Sequence, residues 1–186
     1  NNNVQIGTGA DFVTNTAGTD NVRFGENAGN SIASGAFNNV VIGKNAGTAL
    51  TTGDSNIAIG TGALMTEDAH ANNVAIGQNA LTLQNAGADA YNVGIGYHAG
   101  TAVTTGVRNT LIGGLAGDAL TDADYNVGVG YNSLGANTVG SRNTAIGYNA
   151  LDAMNPSSAT DTYNTAVGFY VGKDITTGIQ NTIVGA

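Results

Sequence analysis

Cysteine and tryptophan are absent from the sequence, and its 186 residues include a single proline. Without cysteine there is no disulfide framework and no thiolate metal site. Basic residues are scarce, five against thirteen aspartates and glutamates, for a formal net charge of −8. A nucleic-acid grip needs lysine and arginine clustered on one face, and an anionic membrane surface repels this balance, so neither partner is expected. No run of eighteen apolar residues is present to cross a bilayer as a helix, so no membrane insertion is expected in this segment. The opening "NNNVQIG" has neither the basic nor the apolar block of a signal peptide and no initiator methionine, so the chain reads as a segment of something longer.

Glycine, by contrast, is abundant. Twenty-nine glycines make the chain too glycine-rich for a helical bundle, and a hydrophobic content of 41% is too high for a disordered one. The glycines are ordered by a repeat that spans residues 1–186 as one array: an asparagine followed four residues later by glycine. Eleven copies begin at Asn3, Asn21, Asn39, Asn56, Asn73, Asn92, Asn109, Asn126, Asn143, Asn164 and Asn181, most of them 17 residues apart.

With the asparagine as position 1, position 2 is valine, isoleucine or threonine and position 4 is large and apolar. Such a stretch predicts a short β-strand, and its recurrence every 17 residues predicts one coil of a β-solenoid with a second short extended segment and two turns per coil. Eleven coils stacked at roughly 4.8 Å make a rod of roughly 50 Å. The insertion "MNPSSATDTY" at 154–163 is expected to bulge from one coil as a loop. Glycine at position 5, from Gly7 to Gly185, marks a corner, and the small residues at position 8, such as Ala10, Ala46 and Ala150, mark a narrow interior. The asparagines are expected to stack as a hydrogen-bonded ladder.

Alternation assigns the faces. If the large residues at positions 2 and 4 point inward, position 3 points out. That position holds Gln5 and Arg23 in the first two copies and then Val41, Ala58, Ala75, Gly94, Leu111, Gly128, Ala145, Ala166 and Ile183. A continuous outward stripe of small and apolar residues needs covering, most simply by another copy of the chain, and predicts a homo-oligomer.

The stretches "NNVAIGQNA", "NTAIGYNA" and "NIAIGTGA" resemble the N-x-A-I-G-x-x-A repeats of the head domains of trimeric autotransporter adhesins. Similar repeats occur in bacteriophage tail-fibre proteins and other fibre proteins linked to endosialidase-type chaperones. The resemblance covers the whole chain, eleven times over. It implies an all-β fold, a left-handed parallel β-roll packed side by side as a homotrimer, and a non-enzymatic role in attachment at a cell or virion surface, outside the cell. Those heads have somewhat shorter repeats and favour serine after the asparagine, where this chain has valine or threonine. The longer period and the inserted loops lean toward the phage fibre.

Chemistry-bearing residues are few. His70 and His98 lie in different coils, and no cysteine or Glu/His spacing completes a zinc set, so both are expected to be surface residues. Asp118, Asp122 and Asp124 could hold calcium but lack the glycine-aspartate nonapeptide of calcium-binding rolls and read as solvated turn residues. "GIGYHA" at 94–99 matches a dinucleotide fingerprint only as a by-product of the repeat. No cofactor is expected.

The tyrosines follow the repeat. Just before the asparagine stand Tyr91, Arg108, Tyr125, Arg142 and Tyr163, which stacking would turn into an alternating tyrosine–arginine edge ladder. Just after the glycine stand Tyr97, Gly114, Tyr131, Tyr148 and Phe169, an aromatic strip that serves either packing and trimer contact or a host-surface glycan or protein receptor. Copies with tails like "TAVTTGVRN" and "DALTDADYN" alternate from the sixth onward, which sets opposite charges on adjacent coils. Two other classes compete with a fibre: an ice- or mineral-binding solenoid, which needs matched ranks of threonine, and a polysaccharide-degrading β-helix enzyme, which needs paired carboxylates about 5–10 Å apart.

Overall fold

The computed structural model describes residues 18–185. The first repeat, with Asn3, Gln5, Ile6, Gly7 and Ala10, lies outside the described residues. Among those described the chain is all-β, with no helix, and forms a parallel β-solenoid of about ten turns. Ten strands of three residues each stack into one sheet: β1 (Val22–Phe24), β2 (Val40–Ile42), β3 (Ile57–Ile59), β4 (Val74–Ile76), β5 (Val93–Ile95), β6 (Thr110–Ile112), β7 (Val127–Val129), β9 (Thr144–Ile146), β11 (Thr165–Val167) and β12 (Thr182–Val184). Every neighbouring pair is parallel and in repeat register, Thr110 opposite Val127 and Ile112 opposite Val129, for example. At about 4.8 Å per strand the sheet is roughly 43 Å long.

Among the described residues the second extended segment forms strands in two coils, as the parallel pair of β8 (Gly140–Ser141) and β10 (Thr160–Asp161), and a single parallel bridge joins Thr19 to Phe37. Elsewhere the rest of each coil is turn and bend, yet still joined to its neighbours by backbone bonds such as Thr104 N–H to the Thr121 carbonyl and Thr121 N–H to that of Thr138, both 2.9 Å. Much of the insertion at 154–163 is a loop, but β10 pairs with the preceding coil, and Met154 and Pro156 are buried beneath it.

The asparagine ladder forms as expected. Asn109 donates its backbone N–H to Asn92 Oδ1 at 2.8 Å, accepts the Asn126 N–H on its own Oδ1 at 3.0 Å, and donates Nδ2–H across its coil to the Ala123 carbonyl at 2.8 Å. One side chain thus ties three coils and closes its own. Asn39, Asn56, Asn73, Asn92, Asn109 and Asn126 are fully buried, so these amides have no water to fall back on.

The assignment of faces is reversed. Position 3 points inward: Val41, Ala58, Ala75, Leu111, Ala145 and Ala166 are fully buried, while positions 2 and 4 are outward and half-buried or exposed. The stripe Val41 to Ala166 is therefore core, not a contact with another subunit. The reason is volume. The coil is so thin that inward positions take small residues, and in most coils size at position 3 answers to position 9: Val41 and Leu111 share a coil with Gly47 and Gly117, whereas Ala58, Ala75, Gly128 and Ala145 share one with buried Leu64, Leu81, Leu134 and Leu151. Those four leucines adopt φ near +50° to +58°, where a side chain is held only by good packing. Gly94 and Ala166 share their coils with Gly100 and Gly172, and there Leu81 and Leu151 of the preceding coil reach into the space. Position 8 is interior as expected, from Ala28 to Val171. The core falls into two clusters, parted at the coil of Gly128, Ser133 and Asn137.

Candidate functional site

Reversal of the faces puts the β-branched residues on the outside. Position 2 presents Val40, Ile57, Val74, Val93, Thr110, Val127, Thr144 and Thr165, and position 4 presents Ile42, Ile59, Ile76, Ile95, Ile112, Val129, Ile146 and Val167, in two parallel ranks along the sheet. Ile112 and Ile146 remain 37% and 38% exposed even with coils stacked above and below. Two ranks about 7 Å apart over ten strands cover roughly 300 Å², the size of the largest apolar patch on many monomers, and such patches are often functional. Charged side chains are missing from the ranks, and both sequence strips sit at the ends of these strands.

The strip preceding the asparagine is the ladder that the spacing predicts. The Arg108 guanidinium lies 5.8 Å from the ring centre of Tyr91 and 5.4 Å from that of Tyr125; Arg142 lies 4.6 Å from Tyr125 and 5.8 Å from Tyr163. Arg108 also donates to the Tyr125 hydroxyl at 3.0 Å. Arg142 donates Nε–H to Asp161 at 2.9 Å; this hydrogen bond raises the Arg142 pKa further above its ordinary value. All five ladder residues hold left-handed φ, from 51° to 62°, which turns their side chains out at equivalent corners. Exposed contacts of this kind are individually weak, and their repetition along one edge serves chiefly to fix register.

The strip after the glycine is divided. Tyr131 stacks on Tyr148 at 5.4 Å and Tyr148 on Phe169 at 5.3 Å, with planes within 22° of parallel. Tyr97 stands apart, tilted over His98 at 4.1 Å, because Gly114 leaves its rung empty of side chain; the Tyr131 ring lies 3.5 Å from where a Cβ on Gly114 would be. The repeat gives no hint of Tyr170, which packs edge-on against both Tyr148 and Phe169 at 5.2 and 4.5 Å and carries Lys173 over its ring at 5.6 Å. The Tyr170 hydroxyl, hydrogen-bonded to Tyr148, raises the Tyr148 phenol above its ordinary pKa. Phe169 is 56% exposed and Tyr148 39%.

Opposite charges on adjacent coils meet in two ion pairs among the described residues, Lys44 with Glu26 and Arg142 with Asp161, both at 2.9 Å. The aspartates that end the tails hold coils together, since Asp54, Asp89 and Asp124 accept the backbone N–H of Phe37, Ala71 and Val107 on the preceding coil. Asp118 is half-buried, and that burial raises its pKa. The aspartates at 118, 122 and 124 do not converge on a metal site. His98 pairs with Asn79 at 3.1 Å, but His70 differs from expectation, since the fold brings it to Glu67 at 3.0 Å with Asp68 beside it. No helix among the described residues is long and apolar enough to cross a membrane. Comparison with protein-family models, curated proteins and solved structures finds no match for this chain.

Proposed function

We propose that this chain is a segment of a homotrimeric, non-enzymatic fibre that projects from a virion tail or a bacterial cell surface and supports attachment to a host surface. The observation that carries this reading is the outward double rank of isoleucine, valine and threonine along a parallel sheet. Parallel sheets are ordinarily covered on both faces, and a second and third copy of the same face supply the cover. Reversal of the faces moves the argument for self-association from position 3 to positions 2 and 4 and strengthens it, because the residues now turned outward are larger and more apolar. The number three, the left-handed coiling, the extracellular location and the choice of fibre come from the resemblance of the repeats to adhesin heads and phage fibres.

Charge placed in the ranks tests the assembly. Ile112→Asp with Ile146→Asp is expected to dissociate the oligomer while leaving the far-ultraviolet circular dichroism of the coil, since neither side chain belongs to the core. An unchanged molar mass in that variant would count against the face as the interface. Attachment is assigned to the stacked rings Tyr131, Tyr148 and Phe169. On a printed glycan array, Tyr148→Ala is expected to lose at least tenfold in signal with its molar mass unchanged; an array signal equal to that of the unaltered chain would make the strip a packing feature.

A second reading has one observation in its favour. Thr144, Thr165 and Thr182 lie in register on three consecutive outward strands, beside a rank of Ile146, Val167 and Val184. Such a rank is the element an ice- or mineral-binding face needs. Val127 interrupts it below, and Val40 to Val93 carry no threonine, so the rank is three strands long. Thermal hysteresis above that of an albumin control would favour this reading.

A further inference from the structure

Position 12 of each coil points into the core and is apolar in most copies: Ile32, Leu50, Val103, Leu120, Met154 and Ile175. In the coil that begins at Asn56 it is Glu67, a carboxylate with no solvent exposure. Its Oε1 accepts the His70 backbone N–H at 3.1 Å and lies 3.0 Å from His70 Nδ1. Its Oε2 is buried and has no hydrogen-bond partner. A buried carboxylate oxygen is unfavourable without a partner, so this core position calls for a donor or a cation beside Oε2.

We propose that Glu67, Asp68 and His70 bind one divalent transition-metal ion of the zinc class. Among the described residues this is the one place where three potential ligands converge, with donor atoms within 4.8 Å of one another. His70 Nδ1 is 3.0 Å from Glu67 Oε1 and 4.0 Å from Asp68 Oδ1, which brackets the edge of about 3.4 Å in a tetrahedral shell with bonds of about 2.1 Å. Imidazole nitrogen with two carboxylates suits zinc, cobalt or nickel better than the all-oxygen sets of calcium and magnesium. The backbone is fixed at both ends of the ligand turn: the Asp68 carbonyl accepts from Thr51, its Oγ1 at 2.8 Å, and the His70 carbonyl accepts from Asn56 Nδ2 at 2.9 Å. Asp68 is exposed and His70 half-buried, so two side chains are free to close on the ion and its remaining coordination positions face solvent.

The rival explanation of Glu67 is in the next coil, where Gln84 occupies the same interior position and its Nε2 also lacks a partner. A Glu67–Gln84 pairing would be a purely structural polar rung. The full chain, stripped with chelator, is titrated with zinc chloride by calorimetry and with cobalt chloride by visible absorption. The expected result is one ion per chain, cobalt bands of tetrahedral intensity, and binding weakened at least tenfold by both His70→Ala and Asp68→Asn, with the far-ultraviolet circular dichroism of the metal-free chain unchanged in both variants. Absence of binding, equal binding in the His70→Ala chain, or weakening by His70→Ala without weakening by Asp68→Asn would overturn the three-ligand site. So would a zinc-independent melting temperature in a chain that Gln84→Leu destabilises, which would give Glu67 Oε2 to Gln84.

Discussion

Alanine in place of Gly130 is expected to lower the melting temperature by on the order of 10 °C. Gly130 has φ of 129°, a conformation that costs a residue with a Cβ about 1–3 kcal/mol in itself. An added Cβ would also meet the backbone of the next coil, with the Gly147 carbonyl carbon 2.6 Å away. The obstruction is backbone, and the same glycine stacks above and below, so nothing flexible can give way. Strain and collision together imply about 3 kcal/mol or more, and one kcal/mol shifts the melting temperature of a chain this long by about 2–4 °C. Gly87 is the control: a Cβ there would meet nothing within 4 Å and no positive φ is involved, so Gly87→Ala is expected to stay within about 0.5 kcal/mol of the parent. Thermal melts of the two variants side by side check the assignment of position 5 as a corner.

Removal of one asparagine rung has a comparable effect by a different route. Asn109→Ala leaves the Asn126 N–H and the Ala123 carbonyl buried without their partners, and takes away the Asn126 Nδ2 contact at 3.2 Å. Each orphaned buried group costs about 1–3 kcal/mol, so about 3 kcal/mol in total is expected. Asn109→Asp keeps the shape but loses the donor to Ala123, and at neutral pH it also buries a charge. Its defect is expected to shrink as pH falls, when the protonated carboxyl supplies a donor; the Ala variant gains nothing from acid on this account. Melting curves of both variants at neutral and acid pH separate hydrogen bonding from volume.

Both features are legible in the sequence because they are invariant for reasons of backbone geometry. An asparagine before every strand of the ten-stranded sheet and a glycine after it leave few other readings, and 17-residue spacing fixes the stacking partner. The tyrosine–arginine ladder follows from the same register, since Tyr91, Arg108, Tyr125, Arg142 and Tyr163 occupy one corner in successive coils. The orientation of the strand is not legible by the rule that large apolar residues point inward. In a parallel sheet with both faces apolar, hydrophobicity at positions 2, 3 and 4 carries no sign, and the deciding quantity is the space left by Leu64, Leu81, Leu134 and Leu151 across a thin coil. Pairing position 3 with position 9, large with glycine and small with leucine, carries the sign in most copies, the exceptions being Gly94 with Gly100 and Ala166 with Gly172.

The contacts missed at single sites have a common cause. Tyr170 occupies a position that holds asparagine, glycine, histidine or leucine elsewhere, so the repeat predicts nothing about a ring there, yet its left-handed φ of 55° turns it against Tyr148 and Phe169. Glu67 and His70 are three residues apart in a turn, where spacing alone does not bring side chains together as it does on a helix. Their proximity comes from the inward direction of position 12 and from the backbone bonds that Thr51 and Asn56 make to that turn.

Self-association through the sheet face is the claim on which the functional reading rests. Light scattering coupled to size-exclusion chromatography, on the unaltered chain, tests it most directly. A molar mass three times the 18.4 kDa of one chain is predicted; a single chain mass, held across a tenfold range of concentration, would contradict it.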